Sequence, residues 1–311
     1  MPHVAILIVH YNAEAETRAC LQSLRKIHKT NFTASIVVVD NGSKEPLQVP
    51  EKERPPKTTI LRSDANLGFT DGNNLALKFA LEHNNPDYIL LLNNDTTVAP
   101  DFLEELVKCA EANPHAGIIT PKIFFSAGKE FHHQSYTNDQ RGKVFWYAGG
   151  SIDWPHFDAF HRGVDEVDRG HFDNQKNSEF ATGCCALIPK KVIEKVGLFD
   201  SKYFLYLEDV DLSLRVQQAG FTIAFCPNAH VWHDNAGSSG GSGSTLHQYY
   251  QTRNRLFFFN KYHGPETGVL KIVMSRLHLY KYSLHLLLSG SQTEKQAVLD
   301  WAIGRMGKWT M

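Results

Sequence analysis

Carboxylates placed where apolar runs stop are the residues of this sequence that could do chemistry. The run from Tyr88 to Val98, YILLLNNDTTV, is apolar until it breaks into Asn93, Asn94 and Asp95. A short apolar run halted by turn formers reads as a strand buried on both faces, and the carboxyl ends of such strands are where open α/β sheets meet their ligands. Asp40 ends a second run, VVVDNGS, in the same way, and the first strand ends in His10, Tyr11 and Asn12. An Asp in this crevice accepts hydrogen bonds from a pyrimidine imide or from ribose hydroxyls, which a neutral side chain does less well. Each segment alone has a plainer reading, as an Asx turn around Asp95 or an Asn-Gly turn after Asp40.

Three further segments add to these. NLGFTDGNN holds Asn66, Gly68, Gly72 and Asn73 in a loop that enters a helix. Its glycines allow close backbone approach, and the helix start offers a positive end to a diphosphate or sugar, although Asp71 as a simple helix cap accounts for it too. FLYLEDVDLSLR crowds Glu208, Asp209 and Asp211 into a helix start. One acid serves as a cap and Asp211 pairs with Arg215 on a solvated face; a third carboxylate is repelled by its neighbours, which favours a general base. In AHVWHDNAGSS, His233 follows that cluster. A lone histidine is ordinarily structural, but an imidazole near a carboxylate suits a divalent transition metal.

A sheet can bring segments so far apart to one crevice. Apolar strands over Val4–Val9, Ser35–Val39, Thr59–Leu61, Tyr88–Leu92 and Gly117–Thr120 alternate with helices near Glu14–Ile27, Asp71–Glu82 and Asp101–Ala112. This alternation predicts parallel strands with helical crossovers in a nucleotide-fold-like half over residues 1–120. Residues 121–245 form a second, looser half. There Val144–Trp146 and Ile152–Trp154 suggest a hairpin around Gly149 and Gly150, followed by a strand at Cys184–Ile188, helices at Lys190–Val196 and Asp209–Ala219, and a strand at Phe221–Phe225. After a glycine and serine loop, Gly237–Ser244, residues 246–311 read as helices over His247–Tyr262, Thr267–Leu288 and Thr293–Met306.

The composition supports a full core, with 311 residues of which 42% are hydrophobic. With 32 Lys and Arg against 33 Asp and Glu, no overall field draws the chain to nucleic acid. Residues 246–311 nonetheless hold nine basic and three acidic residues, a local surplus of six positive charges. The five cysteines have no CxxC spacing and suggest neither a zinc knuckle nor a disulfide framework, which fits a reducing cytosol. The amino terminus lacks the basic and small-residue features of a signal peptide, and no apolar run is long enough to span a membrane.

Taken in order, these segments resemble the family 2 glycosyltransferases, particularly the bacterial rhamnosyltransferase-like members that build cell-surface polysaccharides; the likeness runs from Val4 to about Tyr262. The resemblance implies an α/β GT-A fold, a Rossmann-like mixed sheet flanked by helices, with a helical carboxyl-terminal extension. It implies inversion at the sugar, a nucleoside-diphosphate sugar donor, a divalent metal (Mg2+ or Mn2+), and a saccharide or lipid-linked acceptor. The family's nucleotide-binding acid falls on Asp40. Its D-x-D metal motif falls on Asn93-Asn94-Asp95, departing at the first position and leaving Asp95 as the acidic metal ligand with His233. The base motif falls on Glu208-Asp209, and a Y-x-x-R-N segment on Tyr250, Arg253 and Asn254.

On this reading Asp209 is the base, with the burial expected from its apolar neighbours raising its proton affinity. Arg253 reaches the diphosphate; Tyr11, Asn12, Asp40, Asn66, Gly68, Asn73 and Asn94 hold the donor. Gly183 and Glu208 meet the acceptor. Thymidine diphosphate rhamnose leads the candidate donors, with uridine diphosphate sugars close behind, on resemblance only. A nucleotidyltransferase would carry a glycine-rich basic loop after the first strand, where this chain has HYNAEAE, and a non-catalytic sugar-binding homologue would not need Asp40, Asp95, Asp209 and His233 together. In the carboxyl-terminal helices Lys271, Ser275, His278, Tyr282 and His285 recur at helical spacing, leaving Leu270, Val273, Leu277, Leu284 and Leu288 on other faces. Peripheral contact with the inner face of the cell membrane, packing on the catalytic domain, and a homodimer all remain open for them.

Overall fold

The computed structural model describes residues 1–235, 243–263 and 268–310. Most of the glycine and serine loop, and Thr267, lie outside the described residues. In chain order the elements are β1 (His3–His10), α1 (Glu14–Leu24), β2 (Thr33–Asn41), β3 (Thr58–Ser63), α2 (Gly68–His83), β4 (Tyr88–Leu92), β5 (Thr96–Val98), α3 (Phe102–Ala112), β6 (Ala116–Phe125), β7 (Phe145–Tyr147), β8 (Gly150–Asp153), β9 (Asp158–His161), β10 (Cys185–Pro189), α4 (Lys190–Val196), α5 (Glu208–Gln218), β11 (Thr222–His233), α6 (Thr245–Lys261), α7 (Val269–Ser289) and α8 (Gln292–Ala302).

One mixed sheet runs in the order β3-β2-β1-β4-β10-β6-β11-β5, with β7 paired to β6. The first four strands are parallel, so their carboxyl ends share an edge, and the β1–β2 register sets His10 beside Asp40. The strands are apolar without alternation because both faces are covered. Val4, Ile6 and Ile8 pack in the layer that includes α1 and α3, while Ala5 and Leu7 pack against α2, α4 and α5.

Two expectations need correction. Val144–Trp146 and Ile152–Trp154 do not form a hairpin with each other: β7 pairs with β6, and β8 pairs with β9. The backbone of Phe145 and Ala148 bonds instead to Glu166 and Arg162, which lets Phe145 and Tyr147 bury fully beneath β6. The strand expected over Phe221–Phe225 runs on to His233, past a register shift between Cys226 and His230. Pro227 sits in that shift, where a residue without an N–H is tolerated, and its break in the apolar pattern hides the continuation.

Candidate active site

A cavity of about 680 Å³ opens at the carboxyl edge of the sheet. Its walls include Tyr11 after β1, Asn93, Asn94 and Asp95 after β4, Gly183 and Cys184 before β10, the turn Phe204–Leu207 with Glu208 and Asp209, and His233 at the end of β11. Strand pairing explains the meeting of Asp95 and His233. The antiparallel β5–β11 ladder sets Thr96 opposite His233, and the amide of Asp234 donates to the carbonyl of Asp95 at 2.9 Å. His233 Nε2 therefore lies 3.1 Å from Asp95 Oδ1 although the residues are 138 apart in sequence. The Trp146 ring stands edge-on to the imidazole at 4.4 Å, and His233 Nδ1 is buried without a hydrogen-bond partner.

This pair fits a divalent cation. One imidazole and one carboxylate on a cavity wall are donors that Mn2+ and Mg2+ accept. Among the described residues no third His, Cys, Asp or Glu joins them in a metal-binding group. The pair would supply two ligands to such a cation, with substrate oxygens and water as the other donors.

Glu208 and Asp209 also line the cavity and begin α5. Glu208 is buried, and its Oε2 faces no hydrogen-bond partner. Burial, with the neighbouring charges of Asp209 and Asp211, pushes its carboxyl well above the usual range. Asp209 is half-buried; burial raises its carboxyl too, opposed by the N–H groups of Gly183 and Val210, which donate to it at 2.9 Å each. A Cβ at Gly183 would come within 2.9 Å of the Phe69 ring, so a larger residue there would have to displace that ring. Asp211 is not on a solvated face. It is fully buried and accepts from Tyr203 Oη, Arg215 Nε, Lys261 Nζ and Tyr262 Oη at 2.6–3.1 Å.

The other expected donor contacts divide. Tyr11, Asn66, Gly68 and Asn94 line the cavity. Gly68 has φ +77°, and a Cβ there would collide with Phe204. Helix α2 starts at Gly68 rather than at Asp71, and its first amides, Phe69 and Thr70, donate to the carbonyl of Phe204, so its positive end is occupied by the protein itself. Asp40 is buried behind the wall; burial alone would raise its carboxyl, but the amides of Leu47 and Ser43 and the Arg62 guanidinium hold it below the ordinary carboxylate range. Asn12 uses its carbonyl oxygen on the Lys44 amide, and Asn73 is buried, donating to the carbonyl of Phe69. Arg253 is off the cavity wall: it is fully buried, and its guanidinium donates to the carbonyls of Gly307, Tyr203 and Lys202.

Sequence reasoning missed several wall residues. Asn41 follows Asp40, lines the cavity, and ties the loop down by accepting from Leu67 N and donating to Gly68 O. Arg255 comes two residues after Arg253 and lines the cavity, as do Lys308 and Trp309. His161 also lines it; burial lowers its imidazole to about 4, so it is neutral at pH 7.

A mixed sheet with acidic strand ends, a carboxylate–imidazole pair and a further carboxylate in the same cavity define a GT-A transferase. The chain belongs to the glycosyltransferase like family 2, whose model matches residues 2–258. It is similar to the N-acetylglucosaminyl-diphospho-decaprenol L-rhamnosyltransferase of Mycobacterium tuberculosis, 25% identical over 76% of this chain and 78% of that protein. The low-salt glycan biosynthesis hexosyltransferase Agl10 of Haloferax volcanii is 24% identical over 83% and 75% respectively. In three dimensions the chain is similar to GalNAc-T7 crystallised with UDP, GalNAc and Mn2+ (TM-score 0.60, 15% identity, 93% of this chain and 58% of that one). It also matches the mannosyltransferase PcManGT of Pyrobaculum calidifontis in complex with GDP-Man and Mn2+ (TM-score 0.55, 13% identity, 98% and 87%). At these identities the structural likeness establishes the GT-A fold.

Proposed function

We propose that this glycosyltransferase moves a sugar, with inversion, from a nucleoside-diphosphate donor to a hydroxyl of a saccharide or lipid-linked acceptor. The observation that carries the reading is the convergence on one cavity of the Asp95–His233 pair and Asp209. Asp95 and His233 would hold the metal, Mg2+ or Mn2+, which when bound neutralises charge developing on the leaving diphosphate. Asp209 takes the proton of the attacking hydroxyl at the face opposite the leaving group, and its raised proton affinity suits it to that task. Glu208, whose proton affinity is raised by burial, can donate a hydrogen bond to the acceptor when protonated. Arg255 and Lys308 take the phosphate-facing role expected of Arg253, since both are on the cavity wall.

The names of the mycobacterial and archaeal relatives support cell-surface glycan synthesis, and the former supports a lipid-diphosphate-linked acceptor with rhamnose as the transferred sugar. Residues 1–245 serve as the catalytic unit in this reading. The helical region 246–311 completes it, because Tyr250, Gln251 and Arg255 of α6 also line the cavity. Incubation with thymidine diphosphate rhamnose or uridine diphosphate sugars and Mn2+ should release nucleoside diphosphate and raise the melting temperature. A protein that neither binds nor hydrolyses any nucleoside-diphosphate sugar would overturn the assignment.

The outer face of α7 fits an anionic membrane surface. Leu279, Ser283 and Leu286 are buried and His278 and Tyr282 meet Phe157, whereas Leu270, Val273, Leu277, Leu284 and Leu288 stand exposed. Lys271, Arg276 and Lys281 accompany that apolar stripe, and α7 contains no acidic residue. Among the described residues no helix is long and apolar enough to cross a membrane. Flotation with anionic liposomes should carry the protein upward; recovery wholly at the bottom of the gradient would leave this face to another occupant, such as a second copy.

A further inference from the structure

The turn that leads into Glu208 and Asp209 is held in an unfavourable backbone. Phe204, Tyr206 and Leu207 have φ of 66°, 70° and 65°, a left-handed region that residues with a Cβ rarely adopt. Such a cluster persists only where the surroundings over-determine it. Two adjacent residues of α6 do so. Asn254 is fully buried, and its amide nitrogen donates to the carbonyls of Tyr203, Leu205 and Tyr206 at 3.0, 2.7 and 2.9 Å. Arg253 donates through Nε to the Asn254 side-chain oxygen at 3.0 Å and through Nη2 to Tyr203 O at 3.0 Å. Its Nη1 reaches Gly307 O at 2.7 Å, and the Gly307 amide returns to Lys202 O at 2.8 Å. Just beyond, the Trp309 amide donates to Tyr250 Oη at 2.7 Å and its ring stacks on Tyr249 at 4.1 Å.

We infer that Arg253 and Asn254 are positioning residues: a buried latch that holds the 203–207 turn in its left-handed form and fastens the 307–309 segment beside it. Together the two segments form the acid-bearing wall of the cavity before any substrate arrives. The Y-x-x-R-N segment thus acts on backbone carbonyls rather than on a diphosphate. Glu208 and Asp209 follow the strained residues directly, so a loosened turn displaces both carboxylates while Asp95 and His233 stay on the sheet. The inference rests on Asp209 being the base.

Asn254→Asp tests it, because the shape is kept while an oxygen replaces the nitrogen that faces three carbonyls. Hydrogen exchange at the 203–209 amides should rise by about tenfold or more, with exchange in β1 and β4 unchanged. Turnover should fall by about a hundredfold, the scale for a reacting group misplaced by ~1 Å, while donor affinity stays within about threefold. The acidic limb of the rate profile should also move to lower pH as the turn admits water to Asp209. Should Asn254→Asp not accumulate as folded protein, Asn254→Ala gives the same readings without the added repulsion. Unchanged exchange over 203–209, or donor affinity lost in step with turnover, would overturn the latch. A wild-type protein without turnover on any donor would refute the transferase reading instead, and the exchange measurement would still decide the latch.

Discussion

The two walls of the cavity are built by opposite means. Asp95 and His233 are brought together by a strand ladder, in which Thr96, next to Asp95, pairs with His233. Glu208 and Asp209 are delivered by a turn with three left-handed residues, tied down by side chains from a helix about fifty residues further on. A ladder places groups without backbone strain, which suffices for the proposed cation because water and substrate oxygens can complete its shell. The proposed base must meet one proton on one trajectory, and the backbone that carries it is correspondingly over-determined.

The sharpest way to break this comparison is to remove the ladder-borne ligand. Asp95→Ala should lower metal-dependent turnover by about a thousandfold, matching several kcal/mol of lost charge stabilisation, with little change in melting temperature. Full activity in that variant, or in excess chelator, would remove Asp95 from the site. On the other wall, Asp209→Asn keeps shape and removes basicity. Its turnover should fall by roughly a hundredfold or more with donor affinity little changed, and the wild-type acidic limb should lie above the ordinary Asp range because burial raises this carboxyl. Near-normal turnover in Asp209→Asn would remove Asp209 from the role of base.

Asp211 itself should matter for stability. It is the shared buried acceptor of two cations and two phenols, so Asp211→Ala should cost about 3–5 kcal/mol, read by denaturant unfolding. Retained stability would mean that this network contributes nothing to the fold. The smallest effect is expected at Glu208. Its folded carboxyl is raised above its unfolded value, so below the unfolded value both states are protonated and folding carries no penalty. As pH rises past that point the unfolded chain ionises first and stability falls. Glu208→Gln should therefore gain about 1 kcal/mol near pH 8 and nothing near pH 4; a gain independent of pH would contradict a protonated Glu208.

Much of the first half was legible because its strands are buried on both faces and their apolar runs stop abruptly. Tyr88–Leu92 is read to the residue, and Asp95 follows from its end. The second half was less so. The extension of β11 to His233 passes Pro227 and a register shift, so no continuous pattern marks it, and the pairing of His233 with Asp95 depends on that extension. Asp211 was misread as exposed because the pair with Arg215 is visible in sequence while Tyr203, Lys261 and Tyr262 are not. Arg253 and Arg255 are two positions apart on one helix, which turns them to different sides, and nothing in their type says which side meets the cavity.

By itself the sequence determined where polar groups must surface, since an apolar strand can end only where the core ends. It therefore specified the parallel half of the sheet, the carboxylates at its edge and the acidic start of α5. Only the tertiary structure decided which polar groups face the cavity and which turn inward. The acceptors that claim Asn254 and Arg253 are backbone carbonyls of residues 202–206 and 307, and a carbonyl is common to every residue type. What it binds is set by where the chain bends, and no side chain records that.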